Sequence, residues 1–307
     1  MAAGGTERPC VTPNGRGPLS DSCPVRPLFV MLVLALLAGC TSSPSPDLVE
    51  AEVAFGDVFT DRLAIEGLTP KEVCPQSDPV AERVLAEYGA MFVPSDGVMV
   101  MNRCVFEAAE QVEAFQARLV TESGTVEAKT VTLQAEAFAA LESARADAAA
   151  RGLTISPRGP FPAARDFDTT VDLWGSRVGP ALEFWQEEGR LTEAEVARVV
   201  NADPAEQVEA VLSFEERGMF FSTEFDRSIL ASVAAPGTSQ HLSLLAFDVV
   251  EHKNPDVRAV LAAHGWIQTV VDDPPHFTYL GFDERELADR GLEQVTRDGR
   301  TYWVPAI

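Results

Sequence analysis

One run of nine residues constrains this chain more than any other: Leu242-Ser243-Leu244-Leu245-Ala246-Phe247-Asp248-Val249-Val250. It is apolar enough to read as a buried strand, yet it carries a carboxylate at Asp248. Burying an unpaired carboxylate is costly, so a fold that buries this run must set a cation beside it. Side chains alternate along a strand, which puts Ala246, Asp248 and Val250 on one face. His241 stands directly before the run, and all four histidines of the 307-residue chain lie between His241 and His276. Two imidazoles and one carboxylate hold Zn²⁺ and leave a fourth position for water, the layout of a catalytic rather than a closed structural site. His241, Asp248 and His276 are therefore the expected metal ligands, and Zn²⁺ the expected cofactor. Of the other two histidines, His252 reads as a solvent-facing loop residue. His264 reads as a residue near a helix C-terminus, where it faces the last carbonyls.

The first 39 residues read as an export signal. Residues 28–38 form an apolar run that is too short to span a bilayer as a permanent helix. It closes on Leu37-Ala38-Gly39-Cys40, which resembles the lipobox of bacterial lipoproteins. That resemblance implies acylation of Cys40 and an exported protein, lipid-anchored to the bacterial membrane. Residues 40–46, with Ser42-Ser43-Pro44-Ser45-Pro46, read as a flexible tether. A formal net charge of −23 is the opposite of a phosphate-binding surface, so nucleic acid is not an expected partner. Cys74 and Cys104 follow Cys40, and in an oxidising compartment they are expected to pair as a disulfide.

Beyond the tether, residues 47–130 read as an N-terminal region of unknown role and 131–307 as the metal-bearing domain. Helices are expected over 80–88, 107–119 and 134–151, the last rich in alanine and stopped by Gly152. Two apolar triplets, 91–93 and 98–100, flank Pro94-Ser95-Asp96-Gly97 and predict a hairpin. Short strands are expected at 153–156 and 219–222, separated by helices. One helix carries Val171, Trp174, Val178, Leu182 and Trp185 at helical spacing, with Pro180 expected to kink it. Two more start at the capping patterns Thr192-Glu193-Ala194-Glu195 and Asp203-Pro204-Ala205-Glu206. Asn254-Pro255 caps a helix that ends at Gly265. A last core strand follows, in which His276 and Thr278 face away from Phe277 and Tyr279.

The spacing Ser239-x-His241-x-x-Leu244-x-Ala246-x-Asp248 resembles the Ser-x-His-x-x-Gly-x-Ala-x-Asp motif of the VanY-type D-alanyl-D-alanine carboxypeptidases. Those are zinc peptidases acting on peptidoglycan stem peptides. Leu244 stands in the glycine's place, where it is expected to fill space beside the metal strand and narrow the pocket. Asp273-Pro274-Pro275-His276, followed by Phe277 and Tyr279, is similar to the family's Glu-x-x-His and aromatic strand, with aspartate for glutamate. The resemblance implies an α+β fold in which a small, mostly antiparallel sheet carries the zinc site among helices, as in DD-carboxypeptidase and hedgehog-like domains, here behind an N-terminal extension. It implies His241, Asp248 and His276 as zinc ligands, Asp273 as catalytic base and Ser239 beside the substrate. Arg165, entering a helix with Phe167 and Thr170, is similar to the family's catalytic arginine element. Arg158 in the same loop competes for substrate contact, and Asp272 is the neighbouring alternative to Asp273. Aspartate is one methylene shorter than glutamate, so Asp273 must approach by a backbone shift or through a second water. The implied activity is zinc-dependent hydrolysis of stem peptides of the D-Ala-D-Ala type. The alternatives are an L,D-carboxypeptidase or endopeptidase of the cell wall, and an inactive zinc-stabilised peptidoglycan-binding module.

Overall fold

The computed structural model describes residues 53–307. The expected signal segment, Cys40 and the expected tether lie outside the described residues. Helices α1 (Phe55–Ile65) and α2 (Pro70–Val73) lead to α3 (Pro79–Tyr88). Asp78 accepts from the backbone N–H groups of Val80 and Ala81, and Pro79 follows where no donor is needed, so α3 starts there. α4 (Ala109–Gln116) precedes a hairpin of β1 (Thr121–Val126) and β2 (Lys129–Gln134), which runs straight into α5 (Ala135–Ala150). α6 (Phe167–Glu187) starts at the Asp166 cap and continues through Pro180. α7 (Glu193–Val200) opens on the reciprocal Thr192–Glu195 capping box, and α8 (Pro204–Glu216) on the Asp203 carboxylate. β3 (Ala246–Asp248), α9 (Pro255–Ala263), β4 (Trp266–Ile267) and β5 (His276–Tyr279) build the central layer. A hairpin of β6 (Leu292–Arg297) and β7 (Arg300–Pro305) ends the chain.

The result is an α+β fold with small antiparallel sheets. The central sheet has the order β3-β5-β4, every pair antiparallel. One face of it carries Phe247, Phe277 and Tyr279, which pack with Leu141 of α5 and Val260 of α9 in a buried cluster. The opposite face is left to Asp248, His276 and Thr278. A second cluster gathers Trp174, Leu182, Val211 and Phe214 from α6 and α8. A third joins Phe55, Phe59 and Phe92 to Leu242, Ile267 and Trp303. The N-terminal segment and the segment bearing His241, Asp248 and His276 thus share a core, and the described residues form one compact unit. Within it Cys74 and Cys104 are joined by a disulfide, their Cα atoms 5.1 Å apart.

Four strand expectations need correction. Residues 91–93 and 98–100 form no hairpin; Gly89–Phe92 is a 3₁₀ turn, and the backbone beyond is bonded by side chains instead. Arg62 donates to the carbonyls of Pro94 and Val98, Gln134 pairs with both backbone groups of Met99, and Glu66 accepts from the N–H of Val100. These bonds replace those a partner strand would supply. Residues 153–156 are not a strand; a single bridge joins Pro157 to Val249. Residues 219–222 are irregular, because Met219 and Phe221 turn into the helical core instead of pairing. The run 242–250 is a strand only from Ala246 to Asp248. Gln240–Ser243 winds as a 3₁₀ turn, and Leu244 takes a left-handed φ of 57° to leave it.

Candidate metal centre

Strand register brings two of the three expected ligands together. Asp248 of β3 stands directly opposite His276 of β5, while Phe247 opposes Phe277 on the other face. His241 arrives from the 3₁₀ turn, whose cap is the Ser239 hydroxyl accepting from the His241 backbone N–H at 3.4 Å. His241 Nε2 lies 3.4 Å and His276 Nδ1 3.3 Å from Asp248 Oδ1. Ligand atoms of the three residues all fall within 4.8 Å of one another.

Hydrogen bonds behind the rings decide which nitrogen faces inward. His241 Nδ1 is 2.6 Å from the carbonyl oxygen of Ala163. A carbonyl only accepts, so Nδ1 carries the proton and Nε2 the lone pair. That Nε2 atom is buried and has no hydrogen-bond partner. His276 is oriented in the reverse sense, with Nε2 2.8 Å from Gln240 Oε1 and Nδ1 toward Asp248. Two imidazole lone pairs and one carboxylate therefore converge, one of them an orphaned buried nitrogen. This donor set fits Zn²⁺, which takes nitrogen and oxygen ligands and whose histidines donate their other N–H to a second shell.

Electrostatics keep these groups in ligating form. Burial, helped by the charge of Arg165, pushes His241 down from 6.5 to about 4, so it is neutral at pH 7. Burial alone would raise Asp248, but the neighbouring His241 and His276 rings outweigh it and hold the carboxyl below its ordinary range. Asp248 Oδ2 receives Arg165 Nη2 at 2.9 Å. The loop 157–165 grips the same strand through its backbone: Arg158 N–H donates to the Asp248 carbonyl, and Asp248 N–H to that of Pro162, both at 2.8 Å. This one loop thus supplies Arg165, the Ala163 acceptor behind His241, and the edge contacts of β3.

Asp273 opens into the same cleft of about 340 Å³, together with the three ligands, Ser239, Arg158 and Arg165. Burial raises its pKa, the charge of His276 opposing and that of Asp248 adding. Asp272 is turned away; its φ of 68° aims the side chain at Arg227 and Arg297, 3.5 and 3.9 Å off. Leu244 does not narrow the cleft, contrary to expectation. Its side chain is buried in the N-terminal core, so its effect falls on backbone conformation. His252 is also corrected: it is buried, with Nδ1 3.2 Å from Arg300, outside the ligand group. His264 is the C-cap residue of α9 and faces Asp147 at 3.4 Å.

Two cleft residues escaped sequence reading. Gln240 occupies a variable slot of the motif, and only the alternation of β5 hints that His276 and Thr278 share a neighbour. Arg177 lies three helical turns beyond Arg165 on α6, with its Nε buried and unpartnered.

No protein-family profile and no curated protein matches the chain. Two solved structures do resemble it. One is a mutant of the vancomycin resistance D,D-pentapeptidase VanY from a VanB-type resistance cassette, in complex with Zn(II). It is 16% identical over 57% of this chain and 85% of that one, with a TM-score of 0.33. The other is VanYB in complex with D-alanine-D-alanine, 17% identical over 57% of this chain and 86% of that one, with a TM-score of 0.35.

Proposed function

We propose that this chain is an exported, lipid-anchored zinc peptidase that hydrolyses peptidoglycan stem peptides ending in D-Ala-D-Ala. One observation carries the reading: the convergence of His241 Nε2, His276 Nδ1 and Asp248 Oδ1 in a cleft that also holds the buried carboxyl of Asp273. Zn²⁺ bound there supplies Lewis acidity, polarising a carbonyl and acidifying water. Asp273 takes the proton of the attacking water and delivers it to the leaving amine. Arg165, already fixed by Asp248, faces the charge that develops on the scissile carbonyl oxygen. Arg158 and Arg177 line the cleft with no carboxylate within 4.0 Å among the described residues, leaving both for a peptide carboxylate. Ala231, Val233 and Ala234 offer a wall suited to small methyl side chains. The disulfide suits an oxidising compartment.

A second reading, a zinc-stabilised binding module without turnover, is favoured by one feature. The Asp273 carboxylate has no side-chain hydrogen bond among the described residues and is a methylene short of glutamate. Release of D-alanine from a stem pentapeptide by the zinc-loaded protein decides between them. Release that is lost in Asp273→Ala, with zinc retained, supports the peptidase. Tight binding of the peptide without release from any muropeptide supports the module.

A further inference from the structure

Gln240 is almost fully buried between the metal centre and the N-terminal segment, and its amide is bonded at both ends. Its Nε2 donates to the backbone carbonyl of Tyr88 at 2.9 Å. Its Oε1 lies 2.8 Å from His276 Nε2 and also accepts from the Thr278 hydroxyl. A backbone carbonyl has no proton to give, so the amide admits one orientation, nitrogen toward Tyr88 and oxygen toward His276. An amide oxygen only accepts, and its 2.8 Å contact is shorter than the 3.3 Å between Nδ1 and Asp248 Oδ1, so in the neutral ring Nε2 holds the proton and Nδ1 the lone pair. The direction of one carbonyl at the end of α3 therefore fixes a histidine tautomer on β5. Tyr88 is itself pinned, its hydroxyl donating to the Leu230 carbonyl at 2.7 Å.

We propose that Gln240 is a positioning residue for the metal centre, and that the N-terminal segment, through the Tyr88 carbonyl, presets His276 to ligate through Nδ1 before any metal arrives. This gives residues 53–130 a role: they brace the second shell of the centre. A preset ring forgoes the tautomer change and reorientation that metal binding would otherwise demand. Second-shell partners of this kind are typically worth 10–100-fold in metal affinity.

The test reads the tautomer directly and does not depend on the peptidase reading. Long-range ¹H–¹⁵N spectra of the histidine rings in the metal-free full-length protein should show His276 protonated at Nε2. Zinc titration against a competing chelator should show affinity falling about 10–100-fold in Gln240→Met, which keeps the length and removes the amide's hydrogen bonds. Gln240→Glu restores the acceptor and should restore the tautomer, but it cannot donate to Tyr88. Zinc-induced slowing of amide exchange across residues 84–92 should then be seen in the wild type and be absent in Gln240→Glu. A wild-type His276 protonated at Nδ1 without metal overturns the proposal, whatever the variants do. Wild-type zinc affinity in a folded Gln240→Met overturns it as well, and equal slowing in Gln240→Glu overturns the brace.

Discussion

On one side of the cleft, His241, Asp248 and His276 each have a side-chain hydrogen bond that holds them: Ala163 behind the first, Arg165 on the second, Gln240 behind the third. On the other side, Asp273 sits in a loop between β4 and β5, tied only by its backbone, its N–H to Val270 at 3.2 Å and its carbonyl to the His276 N–H at 3.1 Å. The ligands stand on a strand pair and a capped turn whose geometry follows from register. The candidate base stands on a turn whose neighbour, Asp272, has positive φ. The contrast separates two proposed capacities: the candidate ligands are packed groups each held by a side-chain hydrogen bond, while the candidate base is a carboxylate with none among the described residues. On the proposed reading, zinc affinity and turnover should therefore be independently breakable.

The comparison breaks most visibly at Asp273. Asp273→Asn should lower D-alanine release by about 10²–10⁴-fold, the usual worth of a general base, while zinc content and unfolding midpoint stay unchanged. Asp273→Glu restores the longer reach and should keep turnover. If Asp273→Asn instead loses zinc, the two walls are one unit. Because burial raises the Asp273 pKa, the acid limb of the pH–rate profile should lie above the ordinary aspartate value of 3.8. It should be absent from the residual activity of Asp273→Asn.

On the ligand side the expected effect concerns stability. His241 titrates at about 4 in the folded, metal-free protein against 6.5 ordinarily, so between these values the unfolded chain binds the extra proton. Stability from this group is complete above pH 6.5 and is lost as pH falls toward 4. That drop corresponds to about 3 kcal/mol. Urea unfolding of chelator-stripped protein at pH 7 and pH 4 measures it, and His241→Gln should flatten the difference. A smaller effect is expected at Leu244. Glycine would relieve the left-handed backbone by about 1–2 kcal/mol but forfeit a buried leucine worth about 1.5–3 kcal/mol. Leu244→Gly should therefore cost only about 1 kcal/mol in unfolding free energy, with zinc affinity unchanged.

Much of the centre was legible because it follows from alternation. A carboxylate inside an apolar run demanded a partner, and the period of two put His276 and Thr278 on the face opposite Phe277. Helix starts were legible wherever a capping residue accepts from the first turn, as at Thr192 and Asp203. What stayed hidden depends on distant partners. Gln240 is adjacent to His241, but its hydrogen-bond partners include Tyr88, 152 residues earlier, and His276, 36 later. His252 looked solvent-facing because Arg300, which covers it, is 48 residues away. The hairpins β1–β2 and β6–β7 were missed because β1 is mostly polar and exposed and β6 buries only one end, so neither shows apolar alternation. The expected 91–100 hairpin failed because Arg62, Glu66 and Gln134 satisfy that backbone from outside it.

Calorimetric titration of Zn²⁺ into the chelator-stripped full-length protein and into its His241→Ala variant tests the central claim most directly. One zinc per chain, lost or weakened by orders of magnitude in the variant while the fold is retained, is the predicted result. No stoichiometric zinc, or the same affinity in both proteins, would contradict it.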